Sequence, residues 1–239
     1  MITQVMIGPD WFAAKDLIIH GFIVLTLILI AAFSFRFYFL KKKENKNYLY
    51  FALSFILLAI SFLWKMATDI TIVYDMISTK KVGILTITFK TLYTEKLLFV
   101  AGHFVHYLLF LLGLYILYVV LNRKSTMNHL LLLYFIVITT VFSNFSYFIF
   151  HLTALALLTG IIYRYYWIYR ANKRLPTKII VVSFCIIAFS QLVYMFVKLW
   201  PTVIYIAAQA LQAIGFLLLL IAFVLALKYG KKKSNKHRK

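Results

Sequence analysis

The residues with the most chemical potential lie on one apolar stretch, Thr91–Leu121, which also carries Glu95, Lys96, His103 and His106. At about 100° per residue, Glu95, Gly102, His106 and Gly113 fall on one narrow helical face, with His103 beside it. Two histidines at i,i+3 can both face a bundle interior. With His151 they would offer three nitrogen donors, the ligand set of a catalytic zinc that keeps water in its fourth position. Two histidines from facing helices could instead hold a haem iron. The His103-Phe-Val-His106 spacing lacks the glutamate of a zinc-protease HExxH helix. The competing reading is a hydrogen-bonded polar network, because ionisable groups inside an apolar span must find partners whatever their use.

The stretch that positions these groups is one of several. The chain has 239 residues, of which 64% are hydrophobic and 13% charged. Its mean hydropathy is +0.92. That composition defines an all-α integral membrane protein crossing the bilayer several times. Seven spans can be read, at about Leu17–Leu40, Tyr48–Met76, Thr91–Leu121, His129–Phe145, Tyr147–Tyr169, Ile179–Trp200 and Thr202–Leu227. Only short segments separate the fourth span from the fifth and the sixth from the seventh, so both pairs are expected to form tight helical hairpins. Pro201 suits the first turn of a helix. Between the second and third spans, residues 82–89 partly alternate threonine with apolar side chains. They read equally as a short hairpin over the outer mouth and as an interfacial loop.

Lysine and arginine number 26 against 6 aspartates and glutamates, for a net charge of +20. The basic residues sit in short segments between spans, without the interleaved aromatics of a single-strand binding platform, so nucleic acid is not expected as a partner. Most fall on one side: Arg36, the lysines of 41–46, Arg123, Lys124, the Arg164–Lys178 connection and the tail from Lys228. The positive-inside rule then predicts seven transmembrane helices with the N-terminus outside and the C-terminus cytoplasmic, in the cell membrane. Residues 1–228 form the transmembrane domain and 229–239 a basic cytoplasmic tail, suited to anionic lipid at the inner face of the bilayer or to a cytoplasmic or membrane protein partner. Aromatic runs such as Phe37-Tyr38-Phe39 and Tyr163–Tyr169 fall at the inner boundary. The N-terminus has no signal-peptide pattern and is expected to be retained and translocated. Cys185, the one cysteine, permits no internal disulfide.

With that orientation, the intramembrane polar residues share the outer half of the bundle. They are Lys65 and Asp69 on the second span, Glu95, His103 and His106 on the third, His151 on the fifth, Gln191 and Lys198 on the sixth, and Gln209 and Gln212 on the seventh. His20 and Tyr205 lie at the same depth. Lys65 and Asp69 can pair at i,i+4; Glu95 could meet Lys198 or a histidine. These groups are expected to surround an outward-facing polar pocket for a small polar ligand, a proton or an ion. The function this suggests is a receptor-like or sensory module without an attached output domain. The metal or haem enzyme using His103, His106 and His151 is the alternative from another class, and a transporter or structural subunit of a membrane complex is a further one. The glycines 102, 113, 160 and 215 read as close helix packing.

In span count and outside N-terminus the chain resembles rhodopsin-like proteins and the seven-helix sensor modules of prokaryotes, in topology alone. A retinal protein needs a lysine in the middle of its last helix. None lies between Thr202 and Leu227, so no retinal Schiff base is expected. The seven-span zinc hydrolases of the ceramidase and progestin-receptor type carry their histidines mainly on the second and last spans, and this last span has none. No family is assigned.

Overall fold

The structure, a computed structural model, describes residues 13–40, 46–77, 81–82, 85–86, 92–122, 126–143 and 147–236. Seven helices make up nearly all of it: α1 (Ala13–Leu40), α2 (Asn47–Ile77), α3 (Leu92–Leu121), α4 (Thr126–Ser143), α5 (Tyr147–Asn172), α6 (Leu175–Met195) and α7 (Pro201–Lys236). Between α2 and α3, β1 (Lys81–Val82) pairs antiparallel with β2 (Leu85–Thr86), with Lys81 opposite Thr86. The hairpin reading of that segment is thus realised in part. Its relation to an outer mouth lies outside the described residues.

Six helices are long and apolar enough to cross a membrane. The exception is α4, whose apolar part covers only Leu130–Ser143. Its 18 residues rise about 27 Å, slightly short of a hydrocarbon core of about 30 Å. Apolar side chains cover the outside as well as the core: Ile18, Leu25, Leu130, Tyr134, Phe189, Ile214 and Val224 are all exposed. A water-soluble bundle would place polar residues there, so this is an all-α, multi-pass membrane-type protein.

The packing order differs from the chain order. α1 lies against α2, α2 against α3, α3 against α5, α5 against α6, α6 against α7 and α7 against α1, which closes a ring of six helices. α4 packs outside the ring on α3 and α5. α3 and α5 run parallel. The Tyr107 and Phe150 rings stand 4.3 Å apart near one end, and Arg164 Nε donates to the Leu121 carbonyl (3.1 Å) towards the other. α4 therefore carries the chain back along most of the bundle's length.

The helix limits follow local chemistry. Pro176 sits in the first turn of α6, where the missing N–H costs nothing, so this helix starts four residues earlier than its apolar run suggests. It stops at Met195, short of the expected Trp200. The Phe196 and Leu199 amides bond three residues back, tightening the chain into turns before Pro201 opens α7. In the apolar interior, hydroxyls return to their own helix: Ser34 donates to the Ile30 carbonyl, Thr140 to Ile136 and Ser183 to Ile179, each four residues back.

The glycines mark close approaches, as expected. A Cβ at Gly102 would meet the Thr68 side chain of α2. One at Gly215 would lie 2.5 Å from Ile187 Cγ1 and 3.2 Å from the Ser183 carbonyl oxygen of α6. The middle of the ring is filled by aromatic rings meeting edge to face, including Phe62 with Phe110 (5.8 Å) and Phe216 (5.9 Å) and Phe55 with Phe223 (5.7 Å).

Candidate functional site: a polar cluster shared by three helices

The polar side chains gather at one end of the bundle, where α1 begins and α2 ends. The centre is Asp16 on α1. Its Oδ2 accepts a hydrogen bond from the Tyr205 hydroxyl of α7 at 2.7 Å. The same oxygen lies 3.7 Å from Lys65 Nζ of α2, and Lys65 donates to Asp69 Oδ2 at 2.9 Å. One ammonium thus stands between two carboxylates. The Lys65–Asp69 pair has the helical i,i+4 spacing read from the sequence; the Asp16 contact is the long-range one.

His20, one turn beyond Asp16, completes the cluster. Its Nδ1 is 2.9 Å from the Asp16 carbonyl oxygen and 3.1 Å from Asp16 Oδ1. Both are acceptors, and Nδ1 donates to the carbonyl in the tautomer that carries its hydrogen there. Asp16 Oδ1 remains within ion-pair distance but receives no hydrogen bond. The Gln209 amide nitrogen of α7 stands over this ring, 3.2 Å from Nε2 and 3.4 Å from Nδ1. That amide nitrogen also reaches the Tyr205 hydroxyl at 3.4 Å. Gln209 Oε1 is buried and receives no hydrogen bond. Asp16–Tyr205 and His20–Gln209 have the same sequence offset, because α1 and α7 run parallel and in register here.

Two further polar pairs tie other helices together. His106 Nδ1 of α3 is 3.0 Å from the Ser61 carbonyl oxygen and 2.8 Å from its hydroxyl on α2, and the hydroxyl donates to the His106 carbonyl at 3.1 Å. On α5, His151 Nδ1 donates to Gln191 Oε1 of α6 at 2.7 Å, while its ring stacks on Tyr194 at 4.9 Å and 14°. His151 Nε2 is buried without a partner. Tyr194 in turn meets Tyr205 edge to face at 5.9 Å, linking this pair to the main cluster.

Of the residues expected at the pocket, Lys65, Asp69 and Gln209 come together. His106 and His151–Gln191 form separate pairs at the same end. Gln212 is buried one turn further along α7. His103 is half-buried, with its ring edge-on to Tyr107 at 5.9 Å. Lys198 departs from expectation: α6 ends before it, and it is exposed in the turn that leads to α7. Glu95 lies on α3, but its side chain is outside the described residues, so its pairing with Lys198 or a histidine is too.

The three-histidine metal set is not assembled. Among the described residues, no three His, Cys, Asp or Glu side chains come together as a metal-holding group. The physical reason is aromatic: Phe150 stands between His106 and His151, 6.1 Å from one ring and 4.9 Å from the other. Asp16 and Tyr205 are the residues of the cluster that sequence reasoning underweighted. The available signal was Asp16 four residues before His20 and Tyr205 four before Gln209, two helical pairs at matching depth. No family model, curated protein or solved structure matches the chain.

Proposed function

We propose that this chain is a receptor-like or sensory module of the cell membrane, with its N-terminus outside, its C-terminus in the cytoplasm and α4 as a seventh crossing. The polar cluster around Asp16, Lys65 and Gln209 receives a small polar ligand, a proton or an ion from the outer side. The observation that carries this reading is the ion-paired and hydrogen-bonded junction of α1, α2 and α7. Ionisable groups are costly inside a bilayer, and this chain gathers two carboxylates, an ammonium and an imidazole in one place. A ligand changing any of these contacts changes how three helices meet, and the change can travel along α7 to the basic end. That end suits anionic lipid and an acidic face of a membrane or cytoplasmic protein. The lysine and arginine bias supports the orientation. The metal or haem enzyme draws no support from the separated histidines. A transporter or a purely structural subunit is less well supported, because the other half of the bundle interior is closed by packed aromatic and aliphatic side chains.

The test is a thermal-shift screen of small polar and anionic compounds and of monovalent and divalent ions on detergent-purified protein. A compound that stabilises the wild type should lose its effect in Lys65→Ala and in Gln209→Leu. Equal shifts in all three proteins would remove this cluster as the site.

A further inference from the structure

The end of the bundle opposite the Asp16 cluster carries many cations and almost no acid. The acidic residues of the sequence are Asp10, Asp16, Glu44, Asp69, Asp75 and Glu95, and none follows Glu95. α4, α5, α6 and α7 therefore hold no side-chain carboxylate. Where α5 meets α6, Arg170, Lys173, Arg174 and Lys178 are all exposed. Arg174 stands at the start of α6 and makes no capping bond with its side chain. The one acid of the sequence at this end, Glu44 between α1 and α2, lies outside the described residues. Among the described residues, neither α5 nor α6 packs on α1 or α2. The four cations are thus left without a carboxylate on their own helices or on α4 and α7, and an anion from outside the chain is what can compensate them.

We propose that the α5–α6 junction binds the phosphate headgroup of an anionic phospholipid. Its level in the bilayer favours a lipid over an acidic protein. Tyr163, Tyr166 and Trp167 are exposed on α5 just before the junction, and Tyr163 meets Trp167 edge to face at 6.2 Å. Exposed amphipathic rings at the end of a spanning helix stand at the headgroup level. The Arg170 guanidinium lies over the Trp167 ring, 5.7 Å from its centroid, so the ring holds a cation at that level. The chain does not continue into water. α5 ends at Asn172, about 8 Å of helical rise beyond Trp167, and Leu175 and Pro176 then open α6. That distance is about one Debye length at physiological salt, so the whole junction feels the lipid phosphates. A guanidinium fork matches two phosphate oxygens, which suits Arg170 and Arg174 for direct contact. Lys173 and Lys178 add attraction as point charges. A zwitterionic headgroup carries its own cation and gains less. The junction is remote from the Asp16 cluster, so this inference does not rest on the sensing reading.

The experiment titrates the full chain in neutral detergent with phosphatidylglycerol or phosphatidylcholine carrying the same fluorescent acyl chain, read by anisotropy. Phosphatidylglycerol should bind more tightly, and added salt should narrow the difference. Arg170→Gln combined with Arg174→Gln should weaken phosphatidylglycerol about 25-fold, at about fivefold per basic residue, and leave phosphatidylcholine unchanged. Arg170→Lys combined with Arg174→Lys keeps both charges and should retain most of the affinity. Lys198→Gln, exposed at the opposite end, should match the wild type. Equal affinities for the two lipids, no loss in the glutamine pair, or an equal loss in Lys198→Gln would each overturn the proposal. Inorganic phosphate should not displace the lipid at equal concentration; displacement would assign the junction to a free anion instead. Polyglutamate that binds more tightly than phosphatidylglycerol, and is lost in the glutamine pair, would assign it to an acidic protein.

Discussion

The Tyr205 hydroxyl donates to Asp16 Oδ2 at 2.7 Å across 189 residues of sequence. This bond joins the first helix to the last and places a phenol on the carboxylate that also faces Lys65. A hydrogen bond to a charged acceptor contributes about 1.5–3 kcal/mol, more than a neutral one. Tyr205→Phe should lower the midpoint of thermal unfolding in detergent, whereas Tyr163→Phe, an exposed residue on α5, should leave it unchanged. Equal midpoints for the two variants would show that the bond adds no stability.

Lys65 compensates two carboxylates, so its removal should cost more than that of either acid. Breaking a buried ion pair from one side costs about 3–5 kcal/mol because a charge is left unpaired. Lys65 retains some solvent contact, so Lys65→Met should fall at the lower end. Adding Asp16→Asn should recover part of the loss. A double variant as unstable as the sum of the two singles would show that Lys65 and Asp16 do not interact.

The glycines should divide into two kinds. A Cβ at Gly215 meets Ile187 and backbone of α6, whereas one at Gly21 meets only Met66 Cε at 3.8 Å. Gly215→Ala should therefore push α6 and α7 apart and destabilise the protein. Gly21→Ala should be neutral or stabilising by up to about 1 kcal/mol through helix propensity. The same thermal measurement distinguishes them, and a tolerated Gly215→Ala would contradict the close α6–α7 approach.

Lys173 links α5 to α6 with φ 47°, a left-handed conformation that glycine adopts without cost. Its amide closes the end of α5 by donating to the Tyr169 carbonyl at 2.7 Å. Lys173→Gly should stabilise by about 0.5–1 kcal/mol, and Lys173→Val should destabilise, as read by unfolding midpoints.

Orientation can be read with single cysteines in a Cys185→Ala background. Lys15→Cys should react with an impermeant maleimide in intact cells. Arg170→Cys, at the exposed far end of α5, should react only after permeabilisation. The reverse pattern would invert the proposed topology.

Six of the seven helices were legible because apolar runs of more than twenty residues leave few alternatives, and Pro201 marked a start without ambiguity; α4, with its shorter apolar part, was the less determined one. Helix ends were less legible. Pro176 and Lys173 set the α5–α6 junction by backbone chemistry that hydropathy does not register, and hydropathy also extends α6 past Met195. At the cluster, depth along each helix places Lys65, Asp69 and Gln209 at one level, and their contacts run through Asp16 and Tyr205. Depth says nothing about azimuth, which decides that His106 turns to Ser61 and His151 to Gln191 and not towards each other. Asp16 was overlooked because, at the edge of an apolar run, it reads as a solvated boundary residue. Its contacts with Lys65 of α2 and Tyr205 of α7, brought alongside by the ring closure, make it central.

Because α1 and α7 complete the ring, the chain's order of synthesis matters for the cluster. Asp16, His20, Lys65 and Asp69 are all made before Tyr205 and Gln209 exist to meet them. Until α7 arrives, Asp16 lacks the Tyr205 hydroxyl and His20 lacks the Gln209 amide as neighbours. The junction proposed as a sensing site is thus complete only once the last helix has been made.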